Sequence, residues 1–128
     1  MRKIVFELNM YTNNDFIYNK ELFEETNSKY SEYTKGNNDN LLDIRRVYED
    51  TQLSQLIDLL YKFKDSINTS QKFVKENIRK FISNIISVTE SLQEDLKNIN
   101  QLELGTYNSD GLYGNQELEY SIKLVDLT

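Results

Sequence analysis

Ile4-Val5-Phe6-Glu7-Leu8-Asn9-Met10 alternates without a break, placing Ile4, Phe6, Leu8 and Met10 on one side of an extended chain and Val5, Glu7 and Asn9 on the other. Such a period of two is the signature of a strand buried on one face, and the apolar side of that strand needs a cover. Downstream, Val74, Ile78, Phe81, Ile85, Val88, Leu92, Leu96 and Ile99 recur at alternating three and four residues, the spacing of a helical face. Asn68-Thr69-Ser70-Gln71 supplies cap chemistry just before them, so the spacing predicts a helix over about 71–98.

Upstream of that cap, Leu53, Leu56, Ile57, Leu60, Phe63 and Ile67 form a second helical stripe. Asn40-Leu41-Leu42-Asp43 places a capping residue three positions before a carboxylate, so this helix is expected over about 41–67. Asp50 and Thr51 favour caps over helix interiors and mark the place for a break. Ile82 and Ile86 widen the stripe of the longer helix, whose middle therefore faces two partners: the neighbouring helix, and either the sheet or a second copy of the chain. Phe81, Ile82, Ile85 and Ile86 are the expected seam of such a homodimer.

After Gln101 the period returns to two. Leu102, Leu104 and Thr106 lead to turn chemistry at Asn108-Ser109-Asp110-Gly111, followed by Leu118, Tyr120, Ile122 and Leu124 with Glu117, Glu119 and Lys123 opposite, which reads as a hairpin. Residues 11–40 have a weak pattern and are read either as a helix over about 16–33 or as a functional loop. The expected fold class is α+β: a small antiparallel sheet (N-terminal strand plus C-terminal hairpin) packed on two long antiparallel helices, in a single domain over residues 1–128.

Composition narrows the chemistry. The 128 residues include no Cys, His, Trp or Pro. Without thiolate or imidazole, the usual zinc, copper, iron–sulfur and haem sites have no ligands, and Cys-nucleophile and Ser-His-Asp mechanisms have no base or nucleophile. No cofactor, no metal and no catalytic residue is expected. Asp and Glu are plentiful, but their spacing selects no catalytic pair. Asn108 to Glu119 has the length of a calcium loop, yet Tyr113 stands where such a loop requires Gly. Glu7 interrupts the N-terminal apolar run and the stretch from Phe81 to Val88 is far too short to span a bilayer, so a soluble, cytoplasmic protein without a membrane partner is expected. Asn68-Thr69-Ser70 matches a glycosylation acceptor but reads better as a helix start. The abundance of Asn, Lys, Ile and Tyr is that of an AT-rich genome.

The net charge of −6 argues against direct nucleic-acid binding and favours a basic protein partner. Residues 101–128 carry one basic and five acidic groups, so the deficit lies mainly at the C-terminal end. Three candidate sites follow. Glu103, Asp110, Glu117 and Glu119 form an acid set on the hairpin; such carboxylates either imitate phosphates before a nucleic-acid-handling protein or keep an edge strand soluble. Tyr30 and Tyr33, among Ser, Thr and Glu, have the character of interface residues, whereas Phe16 and Phe23 suit a helix core. Lys62, Lys64, Lys72, Lys75, Arg79 and Lys80 surround the turn between the helices, while Glu90, Glu94 and Asp95 lie near the far end of the second helix. That order opposes the helix dipole at about 0.3–1 kcal/mol per terminal charge, so these cations either hold an anion or form a solvated face.

With the usual catalytic residues missing and interface material present, the expected function is a non-enzymatic protein-binding module. Its most concrete form is a small acidic inhibitor of a basic, nucleic-acid-handling partner, comparable to anti-CRISPR proteins of phages and mobile elements or to immunity proteins. The alternative is a structural or assembly subunit that homo-oligomerises through the long helix. A nucleotide or nucleic-acid binder using the six cations, and an enzyme relying on Asp, Glu, Tyr or Lys, rank below these.

Overall fold

The computed structural model describes residues 2–11, 17–19, 21–24, 32–35, 41–97, 105–113 and 116–126. The chain is α+β. In order, it forms β1 (Arg2–Tyr11), a one-turn α1 (Glu21–Glu24), β2 (Glu32–Lys35), β3 (Leu41–Glu49), a 3-10 turn (Asp50–Gln52), α2 (Leu53–Ser66), α3 (Lys72–Leu96), β4 (Gly105–Tyr113) and β5 (Gln116–Asp126). The strands form one antiparallel sheet in the order β2-β3-β1-β5-β4. The strand that opens the chain therefore lies at the centre of the sheet.

Register sorts the residues onto two faces. Phe6 stands between Arg46 of β3 and Ile122 of β5, Leu8 between Ile44 and Tyr120, and Met10 between Leu42 and Leu118. With Ile4, Tyr48 and Leu124 these make an inner face, buried under the helices except at Arg46. The longer helix covers the β5 side, where Phe81 meets Tyr120 edge-on with ring centroids 5.9 Å apart. The shorter helix lies toward β3. Asp65 of α2 lies 3.9 Å from Arg79 while Tyr61, one turn earlier, reaches Glu90 further along α3, so the two helices run antiparallel. Thr89 is buried among the apolar residues, and its hydroxyl is satisfied by donating to the Ile85 carbonyl at 2.8 Å.

The expected helix over 41–67 begins twelve residues later than its spacing suggested. Residues 41–49 are β3, because Leu42, Ile44 and Tyr48 fill the inner face of a sheet whose centre already needs a partner on that edge. The anticipated break at Asp50-Thr51 is real: a 3-10 turn lies there, with the Gln52 side chain accepting from the Glu49 N–H at 3.1 Å. Residues 11–40 hold both a short helix and a strand rather than one helix. Asn108 to Gly111 belongs to β4 rather than to a loop, and the hairpin closes at the pair Tyr113–Gln116. The sheet therefore has five strands where three were expected.

Leu8 is fully buried at the centre of the inner face, so Leu8→Ala is expected to lower stability by about 2–5 kcal/mol in urea unfolding. Truncation after Gln101 removes β4 and β5 and with them one whole hydrogen-bonded edge of β1. The truncated chain is expected to lose cooperative melting; retention of a native-like transition would show that α2 and α3 stand as a bundle by themselves.

Candidate functional site

The outer-face register of the sheet carries Asp110, Glu117 and Glu119 of the acid set. Asp43, Asn9, Glu119 and Asp110 occupy one row across β3, β1, β5 and β4, since Asn9 pairs with both Asp43 and Glu119, and Glu119 with Asp110. Glu117 stands in the next row, opposite Leu112 on one side and Tyr11 on the other. Among the described residues no helix packs on this face. Glu119 and Asp43 are exposed, and Tyr11 is 42% exposed. The hairpin thus brings Asp110, Glu117 and Glu119 together, and β3 adds Asp43, which sequence reasoning missed because it placed that residue on a helix. At the other end of the face the character changes: Glu7 lies 3.9 Å from Arg45, Lys3 pairs with Glu49, and Val5 faces Val47. Glu103 and Tyr30 lie outside the described residues, as does Phe16. Tyr33 lies on β2 opposite Ile44, on the inner-face register.

The six cations around the helical turn have mostly local partners. Lys62 reaches Asp58 at 2.8 Å, Lys72 reaches Glu76 at 3.9 Å and Arg79 reaches Asp65 at 3.9 Å, while the Lys64 ammonium stands 6.0 Å from the Tyr61 ring centroid. Hydrogen bonding to the Asp58 carboxylate holds the Lys62 pKa above its ordinary value. Lys75 and Lys80 have no carboxylate at ion-pair distance among the described residues. Exposed pairs of this kind contribute little to stability, and they offset the charge of three of the six cations. The four residues expected to form a homodimer seam also have a different place. Phe81, Ile82, Ile85 and Ile86 are at most 3% exposed and belong to the chain's own core, so this stripe offers no apolar surface to a second copy.

A second locus went unread in the sequence. As residues of a strand, Arg45 and Arg46 point to opposite faces, and Arg46 goes inward, into the row of Phe6 and Ile122. Its Nη2 donates to the Leu22 carbonyl at 3.0 Å and its guanidinium stands 6.0 Å from the Phe23 ring centroid. Those partners belong to residues 17–19 and 21–24, which are fixed to the end of α2. Ile17 and Asn68 exchange two backbone hydrogen bonds of 2.8 Å, the Asn19 N–H donates to Ser66 Oγ at 3.0 Å, and Tyr18 and Phe23 meet Phe63 edge-on at 5.6 and 5.1 Å. Phe23 is thus a core residue, as its context suggested. Between Asn19, α1, Arg46 and the α2 face bearing Gln55, Asp58, Leu59 and Lys62 lies a polar cleft of about 340 Å³.

Compared with protein-family models, with curated proteins and with solved structures, the chain matches none. Among the described residues, no cluster of three or more Asp or Glu is placed to hold a metal ion, and no helix is long and apolar enough to cross a membrane.

Beside Arg46, the Tyr48 hydroxyl is buried and makes no hydrogen bond among the described residues. Burial pushes its pKa up; the Arg46 guanidinium, close but outside hydrogen-bond geometry, offsets part of the rise. The unfolded chain ionises Tyr near pH 10, so above about that pH it loses the proton first and stability falls as pH climbs toward the folded-state pKa. Tyr48→Phe is expected to remove that part of the alkaline loss. At neutral pH it is expected to be neutral or stabilising by up to about 1 kcal/mol, because no partner is orphaned. Urea unfolding at neutral and alkaline pH measures both; a marked loss at neutral pH would mean that the hydroxyl is bonded after all.

Proposed function

We propose that the protein is a non-enzymatic protein-binding module, and that the acidic end of its outer sheet face docks on a basic partner. The observation that carries this reading is the row Asp43, Asn9, Glu119, Asp110 on the face against which, among the described residues, no helix packs. Like charges directly across a strand pair are destabilising, by about 0.2–1 kcal/mol, and Asp110 stands opposite Glu119 in that way. A local rule broken at a cost to the fold is expected where a surface serves a partner. Edge-strand solubility alone accounts less well for it, because the row also crosses β1 and β5, which are inner strands of the sheet.

A strand-borne array of carboxylates is complementary to a surface built to hold phosphates. The concrete form of the proposal is therefore a small cytoplasmic inhibitor that blocks a basic, nucleic-acid-handling protein, in the manner of anti-CRISPR or immunity proteins. Electrostatic docking of this kind weakens with salt.

A tagged chain, used to capture proteins from the lysate of an AT-rich bacterial host at low and at high salt, is expected to retain a stoichiometric basic protein that high salt releases. Glu117→Lys together with Glu119→Lys is expected to weaken binding to that protein by about tenfold or more, since like charges would then meet across the interface. The same variant is expected to melt at an unchanged or higher temperature, because the cross-strand pair at positions 110 and 119 would then join opposite charges. Unchanged affinity would remove the hairpin from the account.

A further inference from the structure

We propose that the cleft lined by Asn19, α1, β3 and α2 binds a small zwitterion: a free α-amino acid, or a compound with the same pairing of amine and carboxylate. This site lies on the helical side of the sheet and is independent of the acidic outer face. At about 340 Å³ the cleft falls at the lower end of the volumes that hold small ligands.

Two charges without an ion-pair partner among the described residues line this one cleft. Arg46 is partly buried, uses one of its N–H groups on the Leu22 carbonyl, and has no carboxylate at ion-pair distance among the described residues. Glu21 is exposed at the cleft's edge and, among the same residues, has no cation at ion-pair distance. The two line the same space without pairing with each other. The remaining charges there, Lys62 and Asp58, satisfy each other at 2.8 Å. Among the described residues of the lining, two cations stand against two carboxylates, so these residues favour a ligand that carries both charges over a phosphate dianion or a lone amine. A molecule with one carboxylate and one ammonium matches both ends.

Arg46 suits the inner role, because guanidinium holds a carboxylate through two parallel N–H bonds and Phe23 beneath it keeps its plane in place. Glu21 suits the outer one. Its backbone N–H is anchored on Asn19 Oδ1 at 3.1 Å, which fixes the residue while leaving the carboxylate to the ligand. Gln55 adds amide groups, and Leu22 and Leu59 supply apolar contact for a side chain or methylene group.

Nitrogen-edited NMR on the full chain, titrated with each of the common L-amino acids and with acetate, methylammonium and inorganic phosphate as controls, tests the proposal. At least one amino acid is expected to shift the Arg46 Nε–H and Gln55 side-chain signals saturably, at concentrations where the three controls do not saturate. Arg46→Gln and Glu21→Gln are each expected to weaken that binding by about tenfold, the value of a charge-assisted hydrogen bond. The Glu21 variant guards against a folding artefact, since the carboxylate it removes is exposed and makes no hydrogen bond or ion pair with another described residue, while the backbone N–H that anchors the residue is kept. Absence of saturable shifts with every amino acid, binding of acetate or phosphate as tight as the best amino acid, or unchanged affinity in both variants would overturn the proposal.

Discussion

Hydrogen bonding of β1 along both of its edges is the constraint on which the other features depend. Ten residues of this strand pair with β5 and nine of them also pair with β3, so the strand is held by segments from the middle and the end of the chain. Its alternation then fixes which side of every neighbour is inner, because a slip of one residue would carry Ile4, Phe6, Leu8 and Met10 to the opposite face. Packing of α2 and α3 over that side buries the inner rows, and each large apolar side chain so buried contributes about 1.5–3 kcal/mol. The other side is left to carry charge.

The division of faces also separates the two functional proposals. On the outer face, strand pairing assembles carboxylates that are far apart in sequence, Asp43 with Asp110, Glu117 and Glu119. On the inner face, the same pairing drives the Arg46 guanidinium inward at the margin of the core, where it lines an open cleft with α1 and α2. Rows on one side give electrostatics over a broad surface; one interrupted row on the other gives a local cleft.

Much of this was legible in the sequence, and the misreadings have physical causes. The pattern of three and four residues in α2 and α3 and the alternation of β1 and β5 are strong because each element buries one continuous stripe. In β3, Arg46 breaks the inner alternation of Leu42, Ile44 and Tyr48, while Asn40 and Asp43 have the spacing of a helix cap, so the strand passed for the start of a helix. The residue that hid the strand is the one that makes the cleft. In β4, Asn108, Asp110 and Gly111 have turn chemistry but are held extended by pairing with β5, a case of tertiary partners overriding local preference. The αα corner shows another limit of the linear sequence. Its cations are real, but carboxylates one helical turn away or across the helix pair, which a linear list does not weigh, answer three of them.

Native-state hydrogen exchange is the direct measurement of the claim that β1 organises the molecule. The amides of Phe6 and Leu8 are expected to exchange only through global unfolding, in step with their partners in β3 and β5 and at least as slowly as the middle of α3. Exchange of β1 orders of magnitude faster than α3 would contradict the account, because it would make the helices the stable unit and the sheet a dependent layer.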